Sequence, residues 1–248
     1  MKKRNEREMQ MNVYKIDTIG TLLKDKSYPG RGIIIGKSED GKSAVFAYFI
    51  MGRSENSRNR VFALRDGAVF TEPHDFSKVS DPSLIIYSAV RSACGSVIVT
   101  NGDQTDTIYD AIINGGDMRS ALRTREFEPD APNLTPRISG VLNFDGEFSY
   151  EMSILKSADS EGTGCNRFFY EYTPIAGVGH FIHTYVDDGN PLPTFQGEPE
   201  RVAIPSDIDA FASAIWTNLN EENKISLYVR YVALDGGESC ERVFNKNN

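Results

Sequence analysis

Apolar residues recur along this chain in short blocks set between polar turns. GIIIGK (32–37), SAVFAYFIM (43–51), RVFAL (60–64), SLIIYSAV (83–90) and GSVIVTN (95–101) are rich in β-branched and aromatic residues, and EDGK, RDG and ACG separate them. Such blocks bounded by turn formers predict strands. Several are apolar at consecutive rather than alternate positions, which predicts a sheet covered on both faces. The second half repeats the pattern in RISGVLNF (137–144), FSYEMSIL (148–155), RFFYEYTP (167–174), HFIHTYV (180–186) and ISLYVRYVAL (225–234).

Helical spacing is confined to three segments. DQTDTIYDAIING (103–115) has Asn101 and Asp103 as candidate caps and stops at Gly115–Gly116, and DMRSALRTREF (117–127) follows with Asp117 as its cap. SDIDAFASAIWTNLN (206–220) opens on Ser206 and Asp209 at capping-box spacing and puts Phe211, Ile215 and Leu219 on one face. Many strands, grouped helices and no regular βαβ alternation predict an α+β fold of stacked, mainly antiparallel sheets. The most linker-like stretch, EPDAPNLTP (128–136), is short and runs straight into a strand. One domain over 12–248 is therefore predicted, after a solvated tail at 1–11.

At 248 residues the chain can bury a large core, and 40% hydrophobic with 25% charged residues is ordinary for a globular protein. The net charge of −8 argues against nucleic acid or an anionic membrane as a general partner. No apolar run is long enough to span a bilayer, and MKKRNEREMQMN has no apolar segment after its basic start, so neither membrane span nor signal peptide is expected. Cys94, Cys165 and Cys240 lie far apart with no CxxC spacing, which suits free thiols in a reducing cytoplasm and no zinc site.

Against that acidic background MGRSENSRNR (51–60) concentrates Arg53, Arg58 and Arg60 on a segment expected to be extended, where Arg58 and Arg60 share a face, while Arg31 and Arg137 sit at other strand–turn junctions. Guanidinium forks at such junctions are suited to phosphate oxygens. VTNGDQTDTIYDAI leaves a strand and enters a helix, so Asn101, Thr105 and Asp106 could meet an anion or a carbonyl there. Ordinary capping by Asn101 and Asp103 fits the same spacing equally well. Other motifs read as architecture. RGIIIGKS (31–38) lacks the first glycine of a phosphate loop and has a strand where that loop should be. His180 and His183, three apart on a strand, point to opposite faces and cannot readily share a metal ion. GTGC (162–165) raises Thr163 or Cys165 as a nucleophile freed by self-cleavage, against the plainer reading of a glycine turn beside an inert thiol.

YPGRG (28–32), SRNR (57–60), TNGDQTDTI (100–108) and LTPRI (134–138) together resemble, in order, the archaeal-type IMP cyclohydrolase family. The resemblance implies a four-layer α-β-β-α sandwich like that of the N-terminal-nucleophile hydrolases, without a processed nucleophile. It also implies closure of 5-formamidoimidazole-4-carboxamide ribotide (FAICAR) to IMP, with no cofactor or metal, in the cytoplasm. A homo-oligomer is expected, and alternatives are a non-catalytic purine-nucleotide binder or a self-processing amidohydrolase. By position Arg31, Arg53 and Arg137 match family arginines, Asn101, Thr105 and Asp106 the nucleotide segment, and Tyr87 a tyrosine near the reacting groups. Arg58, Asn59, Arg60, Gly102 and Thr135 lie within or beside the same motifs and complete the expected binding set. The family's Lys-x-Glu before TPRI is missing here: EFEPDAPNL offers Glu126, Glu128 and Asp130. Glu128 and Asp130, with Tyr87 and Arg31, are the expected catalytic groups.

Overall fold

Two antiparallel sheets pack face to face, and a helical layer covers each outer surface. The structure is a computed structural model that describes residues 12–79 and 86–247; the expected tail at 1–11 lies outside the described residues. In chain order the elements are α1 (Ile19–Leu23), β1 (Arg31–Lys37), β2 (Ser43–Met51), α2 (Glu55–Arg58), β3 (Val61–Arg65), β4 (Ala68–Glu72), β5 (Tyr87–Ala93) and β6 (Ser96–Thr100). There follow α3 (Gln104–Ile113), α4 (Met118–Leu122), β7 (Arg137–Asn143), β8 (Ser149–Ser157), β9 (Cys165–Tyr172), β10 (Val178–His183), β11 (Glu200–Ala203), α5 (Ile208–Asn218), β12 (Lys224–Ala233) and β13 (Cys240–Asn245). One sheet runs β11-β10-β1-β2-β12-β13, and the other runs β3-β4-β5-β6-β7-β8-β9.

The consecutive apolar runs have the physical cause read from the sequence. In β2, Phe46, Tyr48 and Ile50 enter the core between the sheets, while Val45, Ala47 and Phe49 meet α1 and α5 on the other face. In the second sheet Val99 and Leu142 point inward, and Ile98 and Val141 pack under α3 and α4. The order of layers is thus α, β, β, α. Where β1 crosses β7 the sheets come very close: a Cβ on Gly140 would lie 2.3 Å from Ile35 Cδ1. Only a glycine leaves room there for the isoleucine.

Several elements depart from expectation. The strand expected at 83–90 is observed from Tyr87, and residues 83–85 lie outside the described residues. The helix expected over 117–127 stops at Leu122, where Arg167 donates to the Leu122 and Arg125 carbonyls and takes over the end of the helix. α5 is capped by Asp207, not Ser206, because the Asp207 carboxylate accepts from the Asp209 and Ala210 amides. Segment 55–58, expected to be extended, is a helical turn closed by a reciprocal Ser54–Ser57 capping box. Strands β4, β11 and β13 and helix α1 carry no strong periodic signal.

Candidate active site

The chain crosses from one sheet to the other between β2 and β3, and a cavity of about 330 Å³ opens beneath that crossing. Arg31 enters it from the start of β1, Arg53 and Arg60 from the crossing, and Glu128, Asp130 and Thr135 from the segment before β7. Tyr28 and Tyr185, stacked at 5.9 Å between ring centres, form another wall. This volume lies at the lower end of the range of about 300–1,000 Å³ usual for small-molecule sites.

The arginines differ in how they are satisfied. Arg53 is tied to Asp188 and the Gly189 carbonyl and lies over the Tyr28 ring at 5.1 Å. Arg137 is paired with Asp103 at 2.6 Å and donates to Gln104 at 2.7 Å. Arg31 and Arg60, by contrast, form no carboxylate ion pair among the described residues. Arg60 is 2% exposed, and its Nε donates to the Ser57 carbonyl at 2.7 Å. Arg31 Nε is buried with no hydrogen-bond partner among the described residues. Burial and then the neighbouring Arg31 push the Arg60 pKa down. Burial also works against Arg31, but Glu128 and the surrounding Tyr28, Tyr185 and Tyr87 raise its pKa overall. A buried guanidinium, Arg60, beside a half-buried one, Arg31, with neither in a carboxylate ion pair among the described residues, is suited to a multiply charged anion.

Glu128 faces them. Its amide donates to the Thr135 carbonyl, which turns the side chain toward the cavity, and the residue is 5% exposed. Burial pushes its pKa above the carboxylate range, against the pull of Arg31 and Arg137. A buried carboxyl with a raised pKa beside cations is equipped to exchange a proton with a ligand. Beside it a hydroxyl chain runs from Tyr185 through Thr135 to Asp130. Thr135 Oγ1 lies 2.5 Å from the Tyr185 hydroxyl and donates to Asp130 at 2.5 Å. The Thr135 amide also donates to Asp130, at 2.7 Å. Tyr87 does not line the cavity; its hydroxyl is 2.8 Å from that of Tyr48, deep between the sheets and behind Arg31.

The structure therefore brings together Arg31, Arg53, Arg60, Glu128, Asp130 and Thr135, and separates the rest. Arg58 and Asn59 are corrected. The helical turn sends Arg58 back to the Gly52 carbonyl and Asn223, and Asn59 is held by the backbone of Asp75. The expectation that Arg58 and Arg60 share a face fails for the same reason. Asn101 spends its side chain on the Ile138 amide, Gln104 and the Pro136 carbonyl, which fixes the start of α3 to β7. Thr105 bonds Thr100 and the Gly102 carbonyl, and Asp106 pairs with Arg91 on the surface. Of the two readings of this segment, local architecture is the one realised. Asp103 occupies the cap position of α3 without a capping bond, its carboxylate being taken by Arg125 and Arg137. Gly102 keeps the space that Arg137 and Glu128 need: a Cβ there would lie 2.6 Å from the Arg137 guanidinium and 3.5 Å from the Glu128 carboxylate.

Tyr185 and Asn133 were not singled out in the sequence, and Tyr28 only as a letter of YPGRG. Tyr185 comes from beyond β10, far along the chain, and carries no local signal. At GTGC, Thr163 is bound to Asp159, and burial pushes the Cys165 thiol up, the wrong direction for an activated nucleophile. Among the described residues no group of three or more His, Cys, Asp or Glu is placed to hold a metal ion, and no helix is long and apolar enough to cross a membrane.

Residues 28–237 match a family described as "IMP cyclohydrolase-like protein". Proteins named IMP cyclohydrolase are similar in sequence. One from Methanopyrus kandleri is 36% identical over 148 residues, 54% of this chain and 72% of that protein. One from Methanococcus maripaludis is 35% identical over 125 residues, 49% of this chain and 61% of the relative. One from Methanosphaera stadtmanae is 34% identical over 124 residues, covering 48% and 60%.

Proposed function

Because the chain belongs to the IMP cyclohydrolase-like family, we propose that it closes FAICAR to IMP with loss of water. The observation that supports this most is the meeting of two guanidinium groups outside any carboxylate ion pair among the described residues, Arg31 and Arg60, with the raised carboxyl of Glu128 in one cavity. The substrate is a dianionic phosphate joined to two groups that must exchange protons, and the cavity offers a partner for each.

In the reaction the carboxamide nitrogen attacks the formyl carbon and gives up one of its two protons, the formamido nitrogen gives up its own, and the formyl oxygen leaves with both as water. Both reacting groups belong to one molecule, so the enzyme has to hold the reactive rotamer, move protons and stabilise the developing oxyanion. Arg60 and Arg53 bind the phosphate, Arg53 by exchanging Asp188 for it. Arg31, between Arg60 and Glu128, stabilises the negative charge that grows on the formyl oxygen. Glu128 takes a proton from the attacking nitrogen and returns it to the departing hydroxyl. The Tyr185–Thr135–Asp130 chain supplies a second route for the proton, and these carboxylates do the work of the absent Lys. Arg137 acts on Glu128 and not on the ligand, and Tyr87 acts through Arg31.

The reading carries with it one domain over 12–248, a cytoplasmic place, self-association, and a purine ribonucleotide rather than nucleic acid or membrane as partner. The core shared by the two sheets supports the first, and the net charge of −8 supports the last. The test is direct: purified chain is mixed with FAICAR and the rise of IMP absorbance is followed. Folded protein that binds IMP but never forms it would overturn the catalytic reading and leave a nucleotide-binding protein.

A further inference from the structure

The edges of the two sheets are finished differently. β11 is covered by the segment before α1, where Asp17 bridges Val202 and the Val13 carbonyl accepts from Arg201. β3 and β13 are closed against each other by Asn245, which accepts from the Phe62 amide and donates to its carbonyl. β9 spans eight residues and pairs only with β8 among the described residues. A long bare edge is a template for another strand.

Which peptide groups of β9 are free follows from the hairpin. The Ala158 amide donates to the Gly164 carbonyl at 2.9 Å, and hydrogen-bonded pairs in an antiparallel ladder recur at every second residue. Asn166, Phe168 and Tyr170 therefore turn their peptide groups toward β8, and Arg167, Phe169 and Glu171 turn theirs outward. About Phe169 the strand reads Arg-Phe-Phe-Tyr-Glu (167–171). Reversed on itself, this stretch sets Arg against Glu and Phe against Tyr.

We propose that β9 is the docking edge for a second copy of this chain, the two β9 strands pairing antiparallel about a two-fold axis at Phe169. In that register the outward peptide groups meet one another. Arg167 lies opposite the partner's Glu171, and Phe168 opposite the partner's Tyr170, each twice by symmetry. Slipping the pairing by two residues sets Arg167 against Phe169 in one direction and Thr173 in the other, and either slip loses the charge match, so the sequence favours one register. Phe168 is 40% exposed in the single chain, a large aromatic left uncovered on an open edge. The Glu171 side chain is 71% exposed and is steadied by Arg119 at 2.8 Å, and Arg167 is steadied by the carbonyls at the end of α4. Both charges are thereby held on one face of the edge. Pairing would join two seven-stranded sheets into one across the dimer.

Sedimentation velocity of the full chain tests this, with a species of twice 27.6 kDa expected for the wild type. Glu171→Arg sets arginine opposite arginine twice and should weaken association by about tenfold or more. Glu171→Pro removes an outward N–H without removing a bond to β8 and should also give monomer. Arg167→Glu combined with Glu171→Arg restores opposite charges and should restore the dimer. Arg167 also bonds the end of α4, so circular dichroism must show that the double variant is folded; if it is not, Glu171→Pro decides. A wild type that stays at 27.6 kDa, a Glu171 variant that dimerises as tightly as wild type, or a folded double variant that stays monomeric overturns the proposal.

Discussion

Replacing Arg60 by methionine should move stability and ligand binding in opposite directions. Arg60 is 2% exposed, its Nε donates to the Ser57 carbonyl at 2.7 Å, and it sits beside a second cation, Arg31. Exchanging a buried charge for an apolar side chain of similar volume stabilises by about 1–4 kcal/mol. Losing the bond to the Ser57 carbonyl takes back about 1 kcal/mol. The net gain of about 0–3 kcal/mol raises the melting temperature of the empty protein by up to about 12 °C at this chain length. A hydrogen bond to a charged group is worth about 1.5–3 kcal/mol, so IMP should bind about 10- to 150-fold more weakly. Thermal melts with and without IMP, together with calorimetric titration, read both quantities on one sample. A variant that melts below wild type and binds IMP within about twofold of it would refute the idea that Arg60 is held ready for an anion.

Glu128→Gln should lower kcat by about 10²–10⁴-fold and leave KM nearly unchanged, as measured by IMP formation. Its folded pKa is raised by burial, so the native state holds a proton that the unfolded chain releases. Wild-type stability should then fall as pH rises from the ordinary carboxylate pKa through the raised one, and denaturant melts of the glutamine variant should lack that slope. His180 behaves in the opposite sense. Burial, then Arg201, lowers its pKa from 6.5 to about 4, and its Nδ1 meets the Tyr150 hydroxyl at 2.7 Å. The unfolded chain takes up the proton first, so stability should decline as pH falls from 6.5 to about 4, level off below, and show a flatter course in His180→Gln. Gly140→Ala should destabilise by about 1–3 kcal/mol through overpacking. Because the clash is with Ile35 Cδ1 at 2.3 Å, adding Ile35→Val, which lacks that atom, should recover most of the loss in a double-mutant cycle.

The strands that carry consecutive apolar residues were legible because each is buried on both faces: β1, β2, β7 and β12 fall within a residue or two of where their runs lie. β4, β11 and β13 were not, since AVFTE, ERVA and CERVFN are short and half-polar, and acquire strand geometry only from the neighbour that accepts their hydrogen bonds. In the site, Arg31, Arg53 and Glu128 could be found because each stands beside a turn residue in a distinctive motif. The misplacement of Arg58 and Asn59 came from reading SENSRN as extended. A Ser54–Ser57 reciprocal cap, three residues apart, winds it into a turn and rotates the two side chains away from Arg60. Asn101 and Thr105 look like ligand contacts by type and spacing, and only the three-dimensional tally of their donors and acceptors shows them occupied. Tyr185 needed the fold itself, because nothing within its own stretch sets it against Thr135.

Arg31 belongs to one sheet, and Arg60 stands at the threshold of the other. In the empty protein their like charges oppose each other beneath the polar crossing between β2 and β3. A bound anion that reaches both turns that repulsion into attraction. Occupancy should therefore act as a clasp, slowing amide exchange at the adjoining ends of β1 and β3 together, including at peptide groups that no ligand atom reaches.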